Sequence, residues 1–335
     1  MKILGIETSC DETSVAVLDD KTVLVNLVSS QLMHQQYGGV VPELASREHM
    51  RILDSLVTEA LDKSQVELTD IDGIAVTRGP GLMGALLVGL SFAKGLAFAT
   101  EKPLLGVNHV EGHIMANFLD HPELDYPFLC LLVSGGHTQI IFVKDFHDYT
   151  ILGRSIDDAA GEAFDKAARI LNLGYPGGPI VDRLARIGKP EFYHFPRANI
   201  KDNPTNFSFS GLKTALLYLV RQKGSEWAEK HKNDLCASYQ EAIMDVLVTN
   251  TIETAIQREC RKLVLAGGVA ANSRLRSRIS EISMQYGISV YFPSLEYCTD
   301  NAAMISRTGR ELYIRQLFSS SSISAVPNLT LENDF

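Results

Sequence analysis

His109 and His113 stand four residues apart in the run Asn108-His109-Val110-Glu111-Gly112-His113. On a helix, residues i and i+4 share one face a turn apart, so both imidazoles can reach a single metal ion. The HExxH motif of metallopeptidases places its general-base glutamate directly after the first histidine. Here the glutamate is Glu111, two positions on and roughly 200° around the helix from His109. It points away from any ion the pair holds, which argues against hydrolysis of that kind. A chance pair with no metal is the plain alternative. Asp300 lies in a loop after Cys298-Thr299 and before a helix starting at Asn301, and could add an oxygen ligand. Two imidazoles, one carboxylate and open positions suit ferrous iron or zinc. Spacing alone does not bring Asp300 to the histidines.

Other chemistry-bearing residues sit where predicted strands end. Ile6 runs into Thr8-Ser9, Val133 into Ser134-Gly135-Gly136, and Ala266 into Gly267-Gly268. Such loops let backbone N–H groups approach an anion closely, and hydroxyls add donors. Facing one cleft, they would cradle phosphates and a sugar; ordinary turns are the alternative. No Walker lysine motif is present, so the usual P-loop signature is absent; Gly79-Pro80-Gly81-Leu82-Met83-Gly84 has GxGxxG spacing but reads as a turn leading into the next helix, and a dinucleotide site is not favoured. The loop from Glu7 to Thr13 also carries two adjacent carboxylates, Asp11 and Glu12.

These loops require strands to present them. Lys2 to Leu18 and Phe128 to Val143 both read as strand, polar turn, strand. Ser9 and Ser134, and likewise Thr13 and Thr138, are 125 positions apart, which suggests a duplicated α/β unit. Ile71 to Thr77 and Leu263 to Ala266 read as buried strands. Val41 to Ala60, Gly84 to Ala99, Asp157 to Leu171, Leu235 to Arg258 and Asn272 to Met284 read as helices. Residues 190–209 are irregular and polar, and the serine-rich tail after Phe318 reads as loosely ordered.

A chain of 335 residues suggests more than one domain, and 45% hydrophobic with 21% charged residues is ordinary for a globular protein. The net charge of −9 gives no global attraction for nucleic acid. Any such binding needs a local patch, for which Arg47, Arg78, Lys166, Arg169, Lys213 and the Arg274-Arg276-Arg278 series are the candidates, or a partner's surface. The five cysteines form no CxxC pair, which fits a reducing cytoplasm. The opening MKILGIETSCDET turns polar after six residues, so a signal peptide is not expected there. Leu82 to Ala99 is apolar enough to suggest a membrane span, but Lys94 and its glycines favour a buried core helix and no membrane.

Together these segments resemble the bacterial tRNA N6-adenosine threonylcarbamoyltransferase family (TsaD, formerly glycoprotease). The resemblance rests on GIETSCDET from Gly5, GGVVPELASREH from Gly38, RGPGLMGALLVG from Arg78 and NHVEGH from Asn108. It continues through LLVSGGHTQ from Leu131, DDAAGEAFDKAARILNLGYPGGP from Asp157, FSFSGLKTA from Phe207, LAGGVAANSRLR from Leu265 and CTDNAAMI from Cys298. It implies an α/β fold of the actin/sugar-kinase/Hsp70 (ribonuclease H-like) type, with duplicated lobes around a nucleotide cleft. The N-terminal lobe would cover 1–108, dock a partner and be completed by a helix over 301–318. The C-terminal lobe would cover 109–300 and hold the metal and nucleotide site, leaving 319–335 as the tail.

The activity implied is transfer of threonylcarbamoyl from threonylcarbamoyl-AMP to N6 of the adenosine 3′ of the anticodon, in tRNAs reading codons that begin with A. By position, His109, His113 and Asp300 would bind one divalent metal, iron first and zinc second. Leu132, Val133, Ser134, Gly135, Gly136, Asp165, Gly178, Asp182 and Asn272 would bind the adenylate, with Asp165 and Asp182 suited to ribose hydroxyls. Asp11 and Glu12 are the candidates for a base acting on N6. The family works with TsaB, a paralogue, and with the ATPase TsaE. An ATP-hydrolysing or phosphotransferase member of the same fold is the alternative, although it would want an aspartate where this chain has Glu7. A metallopeptidase and a non-catalytic scaffold are the others.

Overall fold

Both stretches read as hairpins are hairpins, and each begins a five-stranded sheet. In the computed structural model, which describes residues 1–198, 200 and 203–333, Lys2–Glu7 (β1) and Glu12–Asp19 (β2) pair antiparallel. Thr22–Ser30 (β3) continues the meander, while Gly73–Gly79 (β4) and Leu104–Asn108 (β5) add parallel to it, in the order β3-β2-β1-β4-β5. The second sheet repeats this plan. Phe128–Val133 (β6), Thr138–Asp145 (β7) and Asp148–Arg154 (β8) form the meander; Lys262–Ala266 (β9) and Ser289–Tyr291 (β10) add parallel, in the order β8-β7-β6-β9-β10. The repeat extends to register: Glu7 faces Ser14, and 125 positions on, Leu132 faces Gln139. Residues 199, 201 and 202 of the irregular polar segment, and 334 and 335 at the end of the tail, lie outside the described residues.

The chain forms two compact units, one of Met1–Leu124 with Pro293–Phe335, the other of Asp125–Phe292. The histidine pair, Asp300 and the acidic turn all belong to the first. Its core packs Leu4, Ile6, Val15 and Val17 against Leu53 and Val57 of Pro42–Ser64 (α1) and Leu86, Leu90 and Ala93 of Met83–Thr100 (α2). Parallel strands need crossover connections, and these two helices supply them for β4 and β5. α2 is long and apolar enough to cross a membrane by length and composition. Here one face, with Ala85, Leu86, Gly89 and Leu90, is buried in the unit's core, while Met83, Leu87 and Phe98 are exposed.

The remaining strands were not apparent in the sequence. β3 and β8 are edge strands with only partial burial, so their alternation is weak. The segment after Phe318 is anchored by backbone bonds that its composition does not reveal. Ser319 N donates to Leu104 O, Val326 N to Arg78 O, and Pro327 O accepts from Gly81 N, while Ala325, Leu329 and Leu331 are buried.

The helix Ala302–Ile314 begins just after Asp300 and lies directly on β1. A Cβ on Gly5 would fall 2.6 Å from Ala302 O and 2.9 Å from Ser306 N, so only glycine permits this approach. Gly5→Ala should therefore cost about 1–3 kcal/mol, the usual range for overpacking. Urea unfolding monitored by circular dichroism would measure it, and wild-type stability would show that the helix can move away freely.

Candidate functional site

β5 ends at Asn108, whose side-chain oxygen caps the helix His109–Met115 (α3) by accepting from Val110 N at 2.9 Å and Glu111 N at 3.4 Å. The cap fixes where α3 starts and hence the direction of its histidines, whose rings meet edge-on with centroids 4.7 Å apart. Asp300 enters from the turn before Ala302–Ile314. Its Oδ1 lies 3.1 Å from His113 Nε2 and 3.5 Å from His109 Nε2. All three candidate ligand atoms fall within 4.8 Å of one another, and among the described residues no other cluster of this kind occurs. Ligands about 2.1 Å from one ion at tetrahedral or octahedral angles stand roughly 3.0–3.4 Å apart. The distances from Asp300 to the two imidazoles, 3.1 and 3.5 Å, suit a shared cation. Glu111 is buried but is not part of the cluster, in keeping with the geometric argument against peptidase chemistry.

Glu7, at the end of β1, supports the cluster from behind. It has no solvent exposure, and its Oε2 lies 3.1 Å from His109 Nδ1. Ser9 N and the Thr77 hydroxyl also donate to this carboxylate. With Nδ1–H directed at Glu7, His109 would offer Nε2 to an ion once that nitrogen's proton is displaced, the carboxylate–histidine arrangement that orients metal-bound imidazoles. Burial opposes charge on His109, but Asp300 and Glu7 outweigh it and hold the ring's pKa at about 9. Burial likewise opposes charge on Glu7, and the charge and hydrogen bond of His109 bring its carboxyl below the usual range. Glu12 is pushed up to about 9 by burial, then by Asp300 and Asp11. The site thus carries more negative than positive charge, as a divalent cation would require. Cys10 is no nucleophile here, because burial and then Asp11 push its thiol far upward.

The residues expected to bind an adenylate lie in the second unit, at the carboxyl ends of β6 and β9. Leu132 and Val133 finish β6, and Ser134 to His137 form a turn in which His137 N donates to Ser134 Oγ at 3.0 Å. Gly267 follows β9 with φ +87°, and a Cβ there would lie 2.4 Å from Val133 O, so the two strand ends meet only through glycine. Gly161 N bonds to Ser134 O, and one turn along the same helix, Ala160–Ile170, stands Asp165. Asp165 accepts from Gly177 N at 2.7 Å; burial raises its carboxyl above the usual range, against the pull of that bond. Gly178 and Asp182 share a face of Gly177–Ala185, and Asp182 accepts from Ser273 Oγ at 2.8 Å. Asn272 caps Ser273–Gln285 and donates to Gln240. The nine residues therefore form one connected set. At Gly135, Gly136 and Gly178 an added Cβ would meet nothing within 4 Å.

The arginine series is already committed within the second unit. Arg274 and Arg278 both pair with Glu241, and Arg276 lies over the Phe292 ring. Sequence reasoning missed the supporting groups Ser9, Thr77 and Asn108 and gave Glu7 no part in the metal site. The one available signal was Glu7 itself, a carboxylate directly after the apolar run Ile3 to Ile6.

The repeated sheet order is that of the actin/sugar-kinase/Hsp70 fold. Among solved structures the chain is similar to HypF of T. kodakarensis, at TM-score 0.63 and 14% identity over 94% of this chain and 48% of that one. It is also similar to component A of (R)-2-hydroxyglutaryl-CoA dehydratase from Acidaminococcus fermentans, at TM-score 0.55 and 16% identity over 93% and 97% of the two chains. These likenesses show the fold alone. The family model for TsaD, tRNA N6-adenosine threonylcarbamoyltransferase, matches residues 22–307. A curated tRNA N6-adenosine threonylcarbamoyltransferase of Clostridium botulinum (strain 657 / Type Ba4) is 51% identical over 333 residues, 99% of this chain and 98% of that protein. The chain belongs to the tRNA N6-adenosine threonylcarbamoyltransferase family. It is a transferase of tRNA modification, moving a threonylcarbamoyl group to adenosine.

Two outcomes follow from the cluster's geometry. Glu7→Gln should weaken binding of Zn²⁺ by about 10–100-fold, the usual cost of losing a carboxylate behind a metal-bound histidine. Competition with a chelator would measure it, and unchanged affinity would remove Glu7 from the site. Because a cation must displace the His109 proton held at about 9, affinity should rise with pH, by up to about tenfold per unit below that value. Calorimetry at several pH values would read the slope, and a flat profile between about pH 6 and 8 would contradict it.

Proposed function

We propose that this chain transfers threonylcarbamoyl from threonylcarbamoyl-AMP to N6 of the adenosine immediately 3′ of the anticodon, in tRNAs reading codons that begin with A, with release of AMP. The observation that carries the reading is the convergence of His109, His113 and Asp300, backed by Glu7, in a chain of this family.

In the first unit, His109, His113 and Asp300 would hold one divalent cation, iron(II) first and zinc second, since imidazole and carboxylate suit both. When bound, it supplies Lewis-acid polarisation of the threonylcarbamoyl group. In the second unit, the backbone N–H groups of Gly135 and Gly136, in the turn that Ser134 opens, would bind the phosphate at the ends of Leu132 and Val133. Asp165 and Asp182 would accept from ribose hydroxyls, beside Gly178 and Asn272. Adenine N6 is a weak nucleophile, so orientation and proton removal both count. As N6 bonds to the carbamoyl carbon, the carbon–oxygen bond to phosphate breaks and AMP leaves with the electron pair. The N6 proton passes to Asp11, or to Glu12 in its ionised form, which a pKa of about 9 makes the minor form at neutral pH.

The surface supports a reading in which partners contribute. A net charge of −9, with Arg274, Arg278, Arg47 and Lys166 already paired to carboxylates, favours tRNA binding that draws on a second protein's surface. Met83, Leu87 and Phe98 of α2 and Met50 of α1 are exposed apolar side chains that would contribute to docking a TsaB-like paralogue, with a TsaE-like ATPase completing the cytoplasmic assembly.

The test is metal analysis together with transfer of labelled threonylcarbamoyl from its adenylate to unmodified tRNA, in the presence of the partner proteins. His113→Ala should lose both metal and transfer, whereas Asp11→Ala should keep metal and fold and lose about 100-fold or more in rate. Full metal and activity in His113→Ala would sink the cation assignment. A wild-type rate in Asp11→Ala would leave Glu12 as the remaining base.

A further inference from the structure

The turn that carries Asp11 and Glu12 is gripped at successive carbonyls. Ser9 O accepts from Leu82 N at 2.8 Å and Asp11 O from Gln31 N at 3.1 Å, both backbone bonds from neighbouring segments. Between them, Cys10 O accepts from a side chain, Nε2 of His49, at 3.0 Å. His49 belongs to α1 and has no solvent exposure. Its other ring nitrogen, Nδ1, lies 2.7 Å from Thr13 Oγ1. Cys10 and Thr13 are the residues immediately before and after the Asp11-Glu12 pair.

The chemistry of the two partners fixes the ring's state. A carbonyl can only accept, so Nε2 carries the hydrogen. Burial lowers the ring's pKa and outweighs the bond to Cys10, leaving the imidazole neutral. Nδ1 then has a lone pair, and the Thr13 hydroxyl donates to it. A neutral imidazole with both nitrogens engaged is rigid and directional, and it spans the ends of the turn from a helix that is itself packed into the core.

We propose that His49 is a positioning residue for the transfer reaction. By bridging Cys10 and Thr13 it fixes the direction in which the Asp11 and Glu12 carboxyls leave the backbone. The inference rests on the reading that the acidic turn serves transfer. A histidine that merely filled the core would need no donor at one end of this turn and acceptor at the other. Serving only the fold, it would be replaceable by an apolar side chain of similar volume with no consequence specific to turnover.

The full-length chain, assayed with its partner proteins, tests this with His49→Leu, His49→Gln and Thr13→Val beside Asp11→Ala and Glu12→Gln. His49→Leu should keep its metal content and its KM for threonylcarbamoyl-adenylate while kcat falls roughly 10–100-fold, the cost of misplacing a reacting group. His49→Gln retains a donor for Cys10 O and should recover much of that loss. In combination with the slower acid variant, His49→Leu should add little, because both act through one group. A wild-type kcat in His49→Leu, with an acid variant slow, overturns the positioning role alone. Loss of metal or a raised KM in place of the kcat effect makes His49 a fold residue and also overturns it. Wild-type rates in both acid variants overturn the reading of the turn and this inference together. Should His49→Leu not fold, Thr13→Val removes only the hydroxyl donor: lowered kcat with full metal supports the role, and an unchanged kcat refutes it.

Discussion

A carboxylate with no solvent exposure ends the first strand, and the candidate metal centre is built on it. Burying Glu7 as a charge is costly unless its oxygens find donors. It finds three, each from a different place: the backbone of the turn just beyond it at Ser9, the hydroxyl of Thr77 on β4, and the Nδ1–H of His109 on α3. These contacts tie the turn, β4 and the start of α3 to one point. They also choose the tautomer of His109, leaving Nε2 turned toward Asp300. Removing Glu7 would leave the ring without its orienting partner and Thr77 with an unmatched buried hydroxyl. One residue thus links the core of the sheet to the chemistry at its edge.

The duplicated topology makes the contrast between the two hairpin turns informative. The 125-residue offset holds through strand register, so the acidic turn and the glycine turn are equivalent places in equivalent sheets. At the same relative positions the first unit has Cys10, Asp11 and Glu12 where the second has Gly135, Gly136 and His137. Removing side chains exposes backbone N–H groups, which suit an anion. Adding carboxylates concentrates negative charge, which suits a cation or a proton acceptor. Two opposite electrostatic tasks therefore use one scaffold, with the strand ends supplying rigidity in both.

What could be read from sequence depended on how far apart the partners lie. The histidine pair was legible because helix geometry relates positions four apart. The glycine turns and the duplication were legible because hairpins are local, and the central buried strands because their apolar runs are continuous. Asp300 was nameable as a ligand only through resemblance, since it meets His113 across 187 residues. Glu7 and His49 carry no local signature, and their contacts span 102 and 36 residues. The edge strands β3 and β8 were missed because partial burial weakens alternation. The anchoring of the serine-rich segment was missed because it rests on backbone bonds that composition does not encode.

Asn108 shows how these levels join. As the last residue of β5 it belongs to the sheet, and as the cap of α3 it sets the phase of the helix that follows. Its amide nitrogen also donates to Thr330 O at 3.3 Å, so the C-terminal segment holds the same side chain from the other end. A rotation of α3 by one residue would be about 100°, enough to carry both imidazoles away from Asp300. The histidine spacing puts two ligands on one face, but it cannot say where that face points. The cap determines that, and the cap is held by a strand from the middle of the first unit and a segment from its end. The metal-binding potential of a short local motif is therefore a property of the whole unit that orients it.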